Sequence, residues 1–266
     1  MKKLFFFLSA VTLILSSCSK DDVAPIASPN QAPEMQSNLV KKIIYKNYRN
    51  NGTIETATND FIYEGNKCVK FINSDGTKFI LTYNGNSLSK SEQFGINNLL
   101  ENTQTYMYSG NVLISQLSVS VGAVSSIRFD NVINPDGSFT RTESSINNTT
   151  GVVSVLSTYK LNYSNGNLVK RELLNDPINT EVLIYEHDTK NNPIRNIFYF
   201  DNAILNNLGD VNNFTKEINV FTTTLNGGST STNIYTEQHT YNSINYPIET
   251  KSFKNGVLYR TREYIY

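Results

Sequence analysis

Two cysteines and two histidines are the residues of this 266-residue chain best suited to nucleophilic, redox or metal chemistry. Cys68 sits inside FIYEGNKCV (61–69). A thiol nucleophile needs a partner base and an accessible, electropositive setting, and the neighbours of Cys68 supply neither. His187 and His239 each stand two residues from a tyrosine, Tyr185 and Tyr241. The pair His187-Asp188 reads as a turn with its side chains in water. Neither histidine has a second His or Cys at metal-ligand spacing. The chain carries no phosphate-binding loop, zinc-protease helix, nucleophile elbow or EF-hand loop. Its carboxylates are dispersed. Two of them could meet in space for glycoside hydrolysis, which needs a separation of about 5–10 Å, but no linear pattern marks such a pair. The expectation is a protein that is not an enzyme and has no metal and no cofactor, with a secreted carbohydrate-active hydrolase as the rival.

What holds these residues is a repeat. FIYEGNKCV (61–69), LTYNGNSLS (81–89), YMYSGNVLI (106–114) and LNYSNGNLV (161–169) share an apolar residue, any residue, Tyr, a Gly/Asn turn and a further apolar residue. LIYEHDTKNNPI (183–194) and HTYNSINYPI (239–248) are degenerate copies. The tyrosines are Tyr63, Tyr83, Tyr108, Tyr163, Tyr185 and Tyr241, spaced by 20, 25, 55, 22 and 56 residues. Each long gap is wide enough for a diverged copy, and Phe129 with NPDGSF (134–139) looks like part of one. Residues i and i+2 share a strand face, so Phe61 pairs with Tyr63 and Leu81 with Tyr83. Gly and Asn at the turn tolerate positive φ. Return turns follow at Asp75-Gly76, Asp136-Gly137 and Asn255-Gly256. The prediction is an all-β fold: an antiparallel β-meander of hairpin repeats, rolled or barrel-like. Cys68 falls where the other copies have Leu88, Leu113, Val169, Ile194 and Ile248, so it reads as a small core hydrophobe.

The N-terminus reads differently. Lys2 and Lys3 precede an uncharged, mostly apolar run from Leu4 to Leu15, 12 residues long. That is short of the roughly 20 residues a membrane-spanning helix needs and has the length of a signal-peptide core. It ends in Leu15-Ser16-Ser17-Cys18, which resembles the bacterial lipobox. By that resemblance residues 1–17 are a lipoprotein signal peptide and Cys18 carries the lipid. Each buried methylene of an acyl chain contributes about 0.8 kcal/mol, and two or more chains anchor stably. The following Ser19, Lys20, Asp21 and Asp22 resemble a Bacteroidetes surface-export tag, and Ser19 argues against retention at the inner membrane. Residues 18–38, with Pro25, Pro29 and Pro33, read as a flexible lipidated tether, and 39–266 as one β-meander domain.

The hairpin motif resembles the YD or RHS-type repeats of large bacterial wall and toxin proteins, although the Asp usual there is mostly missing. Signal, tag, tether and diverged repeats together resemble Bacteroidetes lipoproteins with a porin-like or rolled β-meander fold, a group with no assigned reaction. Lys plus Arg and Asp plus Glu balance at 23 each, which argues against nucleic acid as a partner. Arg260 and Arg262 share a strand face with Tyr264 and Tyr266. On a lipid face each would cost a few kcal/mol, which favours a water-exposed rolled sheet over a membrane-crossing barrel. The stretch 199–217 exceeds a hairpin loop, and long insertions on rigid scaffolds carry binding residues. Tyr199, Phe200, Asn212, Asn213 and Phe214 are therefore the candidate binding residues, the alternative being a packed plug. The functional expectation is a non-catalytic, surface-exposed lipoprotein of the outer membrane that binds a glycan or protein or acts as a scaffold. A further alternative is an accessory subunit of an outer-membrane nutrient importer.

Overall fold

The computed structural model describes residues 38–198 and 209–266. Sixteen antiparallel strands follow in chain order. They are β1 (Lys42–Tyr48), β2 (Ile54–Glu64), β3 (Lys67–Asn73), β4 (Lys78–Asn84), β5 (Ser87–Phe94), β6 (Leu100–Ser109), β7 (Val112–Ser120) and β8 (Ser125–Ile133). The second half comprises β9 (Phe139–Asn147), β10 (Val153–Ser164), β11 (Asn167–Leu174), β12 (Asn179–Asn191), β13 (Asn212–Thr223), β14 (Ser229–Tyr241), β15 (Pro247–Lys254) and β16 (Val257–Ile265). Every strand pairs with its sequence neighbours, and β1 pairs with β16 from Lys42↔Ile265 to Asn47↔Arg260, closing a barrel. Closure leaves no unpaired sheet edge.

The repeat sets which face looks inward. On β2, Phe61 and Tyr63 face Phe71 and Cys68 of β3. They join Val40, Ile43, Leu81, Leu88, Leu113 and Tyr264 in one cluster. Side chains from β1 through β7 and from β16 can converge only on the concave side of a closed wall, so this face is the lumen. The turns that carry the repeat tyrosines, β2–β3, β4–β5, β6–β7 and β10–β11, all lie at one end. The chain enters β1 and leaves β16 there as well. We call it the floor, and the opposite end the mouth. The lumen is apolar and aromatic at the floor. Towards the mouth it turns polar, with Gln104 and Gln116, Glu143 and Ser157, Arg171 and Glu181, and Glu237 with Ser252 hydrogen-bonded across the wall.

Between β12 and β13 the chain leaves the wall. The helix α1 (Pro193–Phe198) has six residues, too few to stand alone. Pro193 takes the first helical position, and Asn192 Oδ1 accepts the Ile194 N–H at 3.0 Å as a cap. Ile197, 1% exposed, packs into the floor cluster, and α1 touches β3 on the far side of the lumen from β12. The described part of the insert is thus a plug.

Several expectations need correction. The insertion was read as 199–217, but 212–217 belong to β13. The inserted residue of the fourth copy places Leu168, not Val169, opposite Tyr163; Leu168 is 1% exposed. Ile194 lies on α1, and Ile248 is 39% exposed because Pro247 takes the position opposite Tyr241. Of the two long gaps, the first does hold a hairpin, β8–β9. The second holds the plug and the long strands β13 and β14, of 12 and 13 residues. His187 is no loop residue: it lies on β12 with its side chain 5% exposed. Arg260 and Arg262 do not face outward. Arg262 pairs with Glu237, and Arg260 Nε donates to Asn47 Oδ1 at 2.8 Å, both on the lumen side. The outward residues must therefore decide what the wall touches.

Candidate functional site

Of the residues singled out from sequence, Cys18, Ser19, Lys20, Asp21, Asp22, Tyr199 and Phe200 lie outside the described residues. Asn212, Asn213 and Phe214 open β13, where the insert rejoins the wall. Asn212 Nδ2 donates to Lys190 O at 3.0 Å, and its Oδ1 accepts from Asn167 Nδ2 at 2.9 Å. The Asn213 N–H donates to Asp188 Oδ1 at 3.0 Å, and Tyr241 donates its hydroxyl to Asp188 Oδ2. Phe214 sets its ring edge-on to Tyr185 at 6.3 Å, and its carbonyl accepts from His239 Nε2 at 2.7 Å. The other His239 nitrogen, Nδ1, meets Thr250 Oγ1 at 2.8 Å. Both ring nitrogens are thus engaged, Nε2 as donor to the carbonyl, and the ring orientation is fixed. Of these residues Asn213, Phe214 and His239 line a cavity of about 190 Å³ beside α1, together with Ile194, Glu237 and Arg262. Their polar atoms are largely committed to one another.

The buried pair His187 Nε2–Asp210 Oδ2, 2.8 Å apart, ties the end of the insert to β12, and Asp210 Oδ1 accepts the Leu168 N–H at 2.7 Å. Cys68 is 0% exposed, and burial pushes its thiol up to about 12. That is a core residue, not a nucleophile. Among the described residues no cluster of three or more His, Cys, Asp or Glu side chains could hold a metal.

A larger cavity, about 530 Å³, opens at the mouth between β10 and β13. Tyr159, Ser157, Asn179, Glu181 and Phe221 line it. A β-bulge between Val155 and Ser157 leaves Leu156 without a partner on β9 and places it at this rim. Arg171 lies over the Tyr159 ring at 4.8 Å and donates from Nη2 to Glu181 Oε2 at 2.8 Å. Glu217, on the lumen face of β13, has its carboxyl raised by burial and by nearby Glu181, with Arg171 opposing. Sequence reasoning missed Arg171, Glu181 and Glu217. In Lys170-Arg171-Glu172 nothing linear separates the inward arginine from its outward neighbours.

No family model and no curated relative matches the chain. Among solved structures it is similar to a porin-like protein from Bacteroides vulgatus ATCC 8482, at 13% identity and a TM-score of 0.53, over 86% of this chain and 98% of that one. A porin-like protein from Bacteroides uniformis ATCC 8492 aligns at 13% identity with a TM-score of 0.49, over 85% of this chain and 96% of that one. At such identity the first likeness shows a shared barrel fold.

Proposed function

We propose that this chain is a non-catalytic outer-membrane lipoprotein whose barrel stands in water, held by lipid on Cys18, and binds a glycan or protein within its lumen. The likeness to porin-like Bacteroides barrels supports an outer-membrane setting, and the lipobox-like Cys18 and acidic Ser19–Asp22 stretch support anchoring and surface display. The observation that carries the reading is the outer wall. Ion pairs stud it on every side: Lys42–Asp60, Lys90–Glu92, Arg128–Asp130, Lys170–Glu172, Lys216–Glu186 and Lys251–Glu249. Lys90 and Glu92 are the fourth and sixth residues of an eight-residue strand, as are Lys170 and Glu172. The charges therefore sit at mid-height, where a lipid-facing cation costs about 2–4 kcal/mol. Lys42 opens β1 at its floor end, but the other five cations lie within their strands, and together they would cost about 10–20 kcal/mol, as much as the roughly 5–15 kcal/mol by which a folded domain is stable.

Fractionation of cells carrying Cys18→Ser tests the proposal. If lipid alone holds the protein, the variant leaves the membrane fraction. If the variant stays with the membrane and needs detergent for extraction, the strands cross the bilayer and the reading fails. Protease shaving of intact cells then reports the leaflet: cleavage before lysis places the barrel outside, and protection until lysis places it in the periplasm.

One observation favours the hydrolase rival: the raised Glu217 carboxyl beside Glu181, since glycosidases pair a protonated and an ionised carboxyl. Release of new reducing ends from polysaccharide, abolished in Glu217→Gln, would establish it.

A further inference from the structure

The insert was the expected binding segment, yet its described polar groups are spent on the wall. The mouth cavity differs in chemistry and in access. Phe221 is 37% exposed and Leu156 55%, so apolar surface stands uncovered at its rim. Tyr159 and Glu181 are each fixed by the same arginine, at 4.8 and 2.8 Å. A ring and a carboxylate held by one half-buried arginine lose little freedom when a ligand arrives.

Charge narrows the ligand class. Glu181 is paired with Arg171. Asp176, the other acid of the lining, accepts the N–H groups of Ile178 and Asn179 at 2.8 and 2.9 Å and the Asn179 amide at 3.1 Å. An anionic ligand would find no lysine or arginine in the lining, would face the Asp176 carboxylate, which has neutral donors only, and would lose its hydration without return. Ser157, Asn179 and Glu181 each have a protein partner already, but the carboxylate and amide oxygens of Glu181 and Asn179 keep acceptor capacity that a purely apolar ligand would leave unused. A molecule with C–H faces and hydroxyl rims satisfies both halves of the lining. The volume lies within the range of about 300–1,000 Å³ typical of small-molecule sites.

We propose that the mouth cavity between β10 and β13 binds a neutral oligosaccharide, with Phe221 as the stacking platform, Glu181 and Asn179 reading hydroxyls, and Arg171 as the positioning residue. This rests on the reading of the barrel as a binding protein and gives that reading its site. α1 and the apolar cluster pack at the other end, and the cavity opens at the mouth.

The experiment is calorimetric titration of the mature chain with Cys18→Ser against size-defined neutral oligosaccharides of glucose, mannose, xylose and N-acetylglucosamine, with polygalacturonate oligomers as the anionic comparison. The expected result is saturable binding of one neutral series, weakened at least about tenfold, or 1.4 kcal/mol, by Phe221→Ala with the unfolding midpoint unchanged. Glu181→Gln should weaken binding too, and Arg171→Lys should weaken it while leaving stoichiometry intact. Binding that survives Phe221→Ala, binding lost instead in Tyr199→Ala, preference for the anionic series, or no binding of any neutral series at millimolar concentration would each overturn the assignment. The location of the Cys18→Ser variant in cells is read separately, so a failed anchor and a failed sugar site give different results.

Discussion

A buried acid without a lysine or arginine in reach must be held by neutral donors or by histidine. Asp210 is held by both, through Leu168 N–H and His187, with side-chain exposures of 3% for Asp210 and 5% for His187. Truncating it leaves a buried imidazole and a buried N–H without their partner. Asp210→Ala should therefore cost about 1–3 kcal/mol for each buried group left without a partner, read as a lower urea midpoint at an unchanged slope. Titration gives a second residue-scale prediction. Burial pushes the Cys68 thiol and the Tyr108 phenol up to about 12 and raises Tyr63, Tyr83, Tyr106 and Tyr163 beyond the ordinary tyrosine range. Unfolded tyrosines ionise near about pH 10. The folded state then keeps protons that the unfolded state releases, so stability is full below about pH 10 and falls as the pH rises through about 12. Absorbance at 295 nm should show the lumen tyrosines ionising together with loss of the β-sheet circular dichroism signal, and Cys68 should resist a thiol reagent at pH 8 until urea is added. The role of Cys68 was legible because the repeat supplied aligned apolar positions. That of His187 was not: its partner Asp210 is 23 residues away, across an insertion with no periodicity.

Hairpins are the unit at the next scale, and their turns were readable for a local reason. Gly85 sits at φ +58° and a Cβ there would meet nothing within 4 Å, so Gly85→Ala should cost about 1 kcal/mol through backbone strain alone. Gly166 sits at φ +76°, but a Cβ there would lie 2.6 Å from Val211 Cγ2, where the insert returns. Gly166→Ala should be distinctly worse than Gly85→Ala and should loosen the insert, seen as faster amide exchange at Leu168 and Asn212. The plug makes a parallel case. Ile197 is 1% exposed on a helix of six residues, which has no stability apart from its packing. Ile197→Ala should cost about 2–5 kcal/mol, most of it by uncoupling α1 from β3, and should expose Cys68 to thiol reagents without urea. No hydrophobic period of 3.6 announced this helix, because one turn and a half is too short for a period to register. Its boundaries followed from tertiary packing that only the closed barrel provides.

For the whole molecule, the deciding question is which face of the wall meets which solvent. A strand shows two faces to the sequence and does not say which is concave. Alternation along β16 correctly groups Arg260, Arg262 and Tyr264 on one side, but only the pairing of β1 with β16 reveals that side as the lumen. The water-exposed reading consequently rests on other residues, the outward pairs at mid-height. Strand length does not decide the matter: β1, β3 and β4 have seven residues each, but β10, β12, β13 and β14 have 12 or 13, against the roughly 9–11 that a tilted membrane strand needs. On the proposed reading a barrel with such a wall folds without lipid. The mature chain with Cys18→Ser should refold from urea by dilution into detergent-free buffer and sediment as a discrete species rather than as aggregate. Added to liposomes it should neither float with them nor raise their conductance if the outer ion pairs hold the wall in water as proposed. Replacing Lys170 and Glu172 together with Leu tests the cause. It removes two of the mid-height charges from β11 and leaves the lumen untouched. Solubility should fall, and partition into liposomes should begin to rise, with binding at the mouth retained. A native chain that already inserts, or a double variant that behaves like it in water, would show that the outer charges do not set the solvent of this barrel.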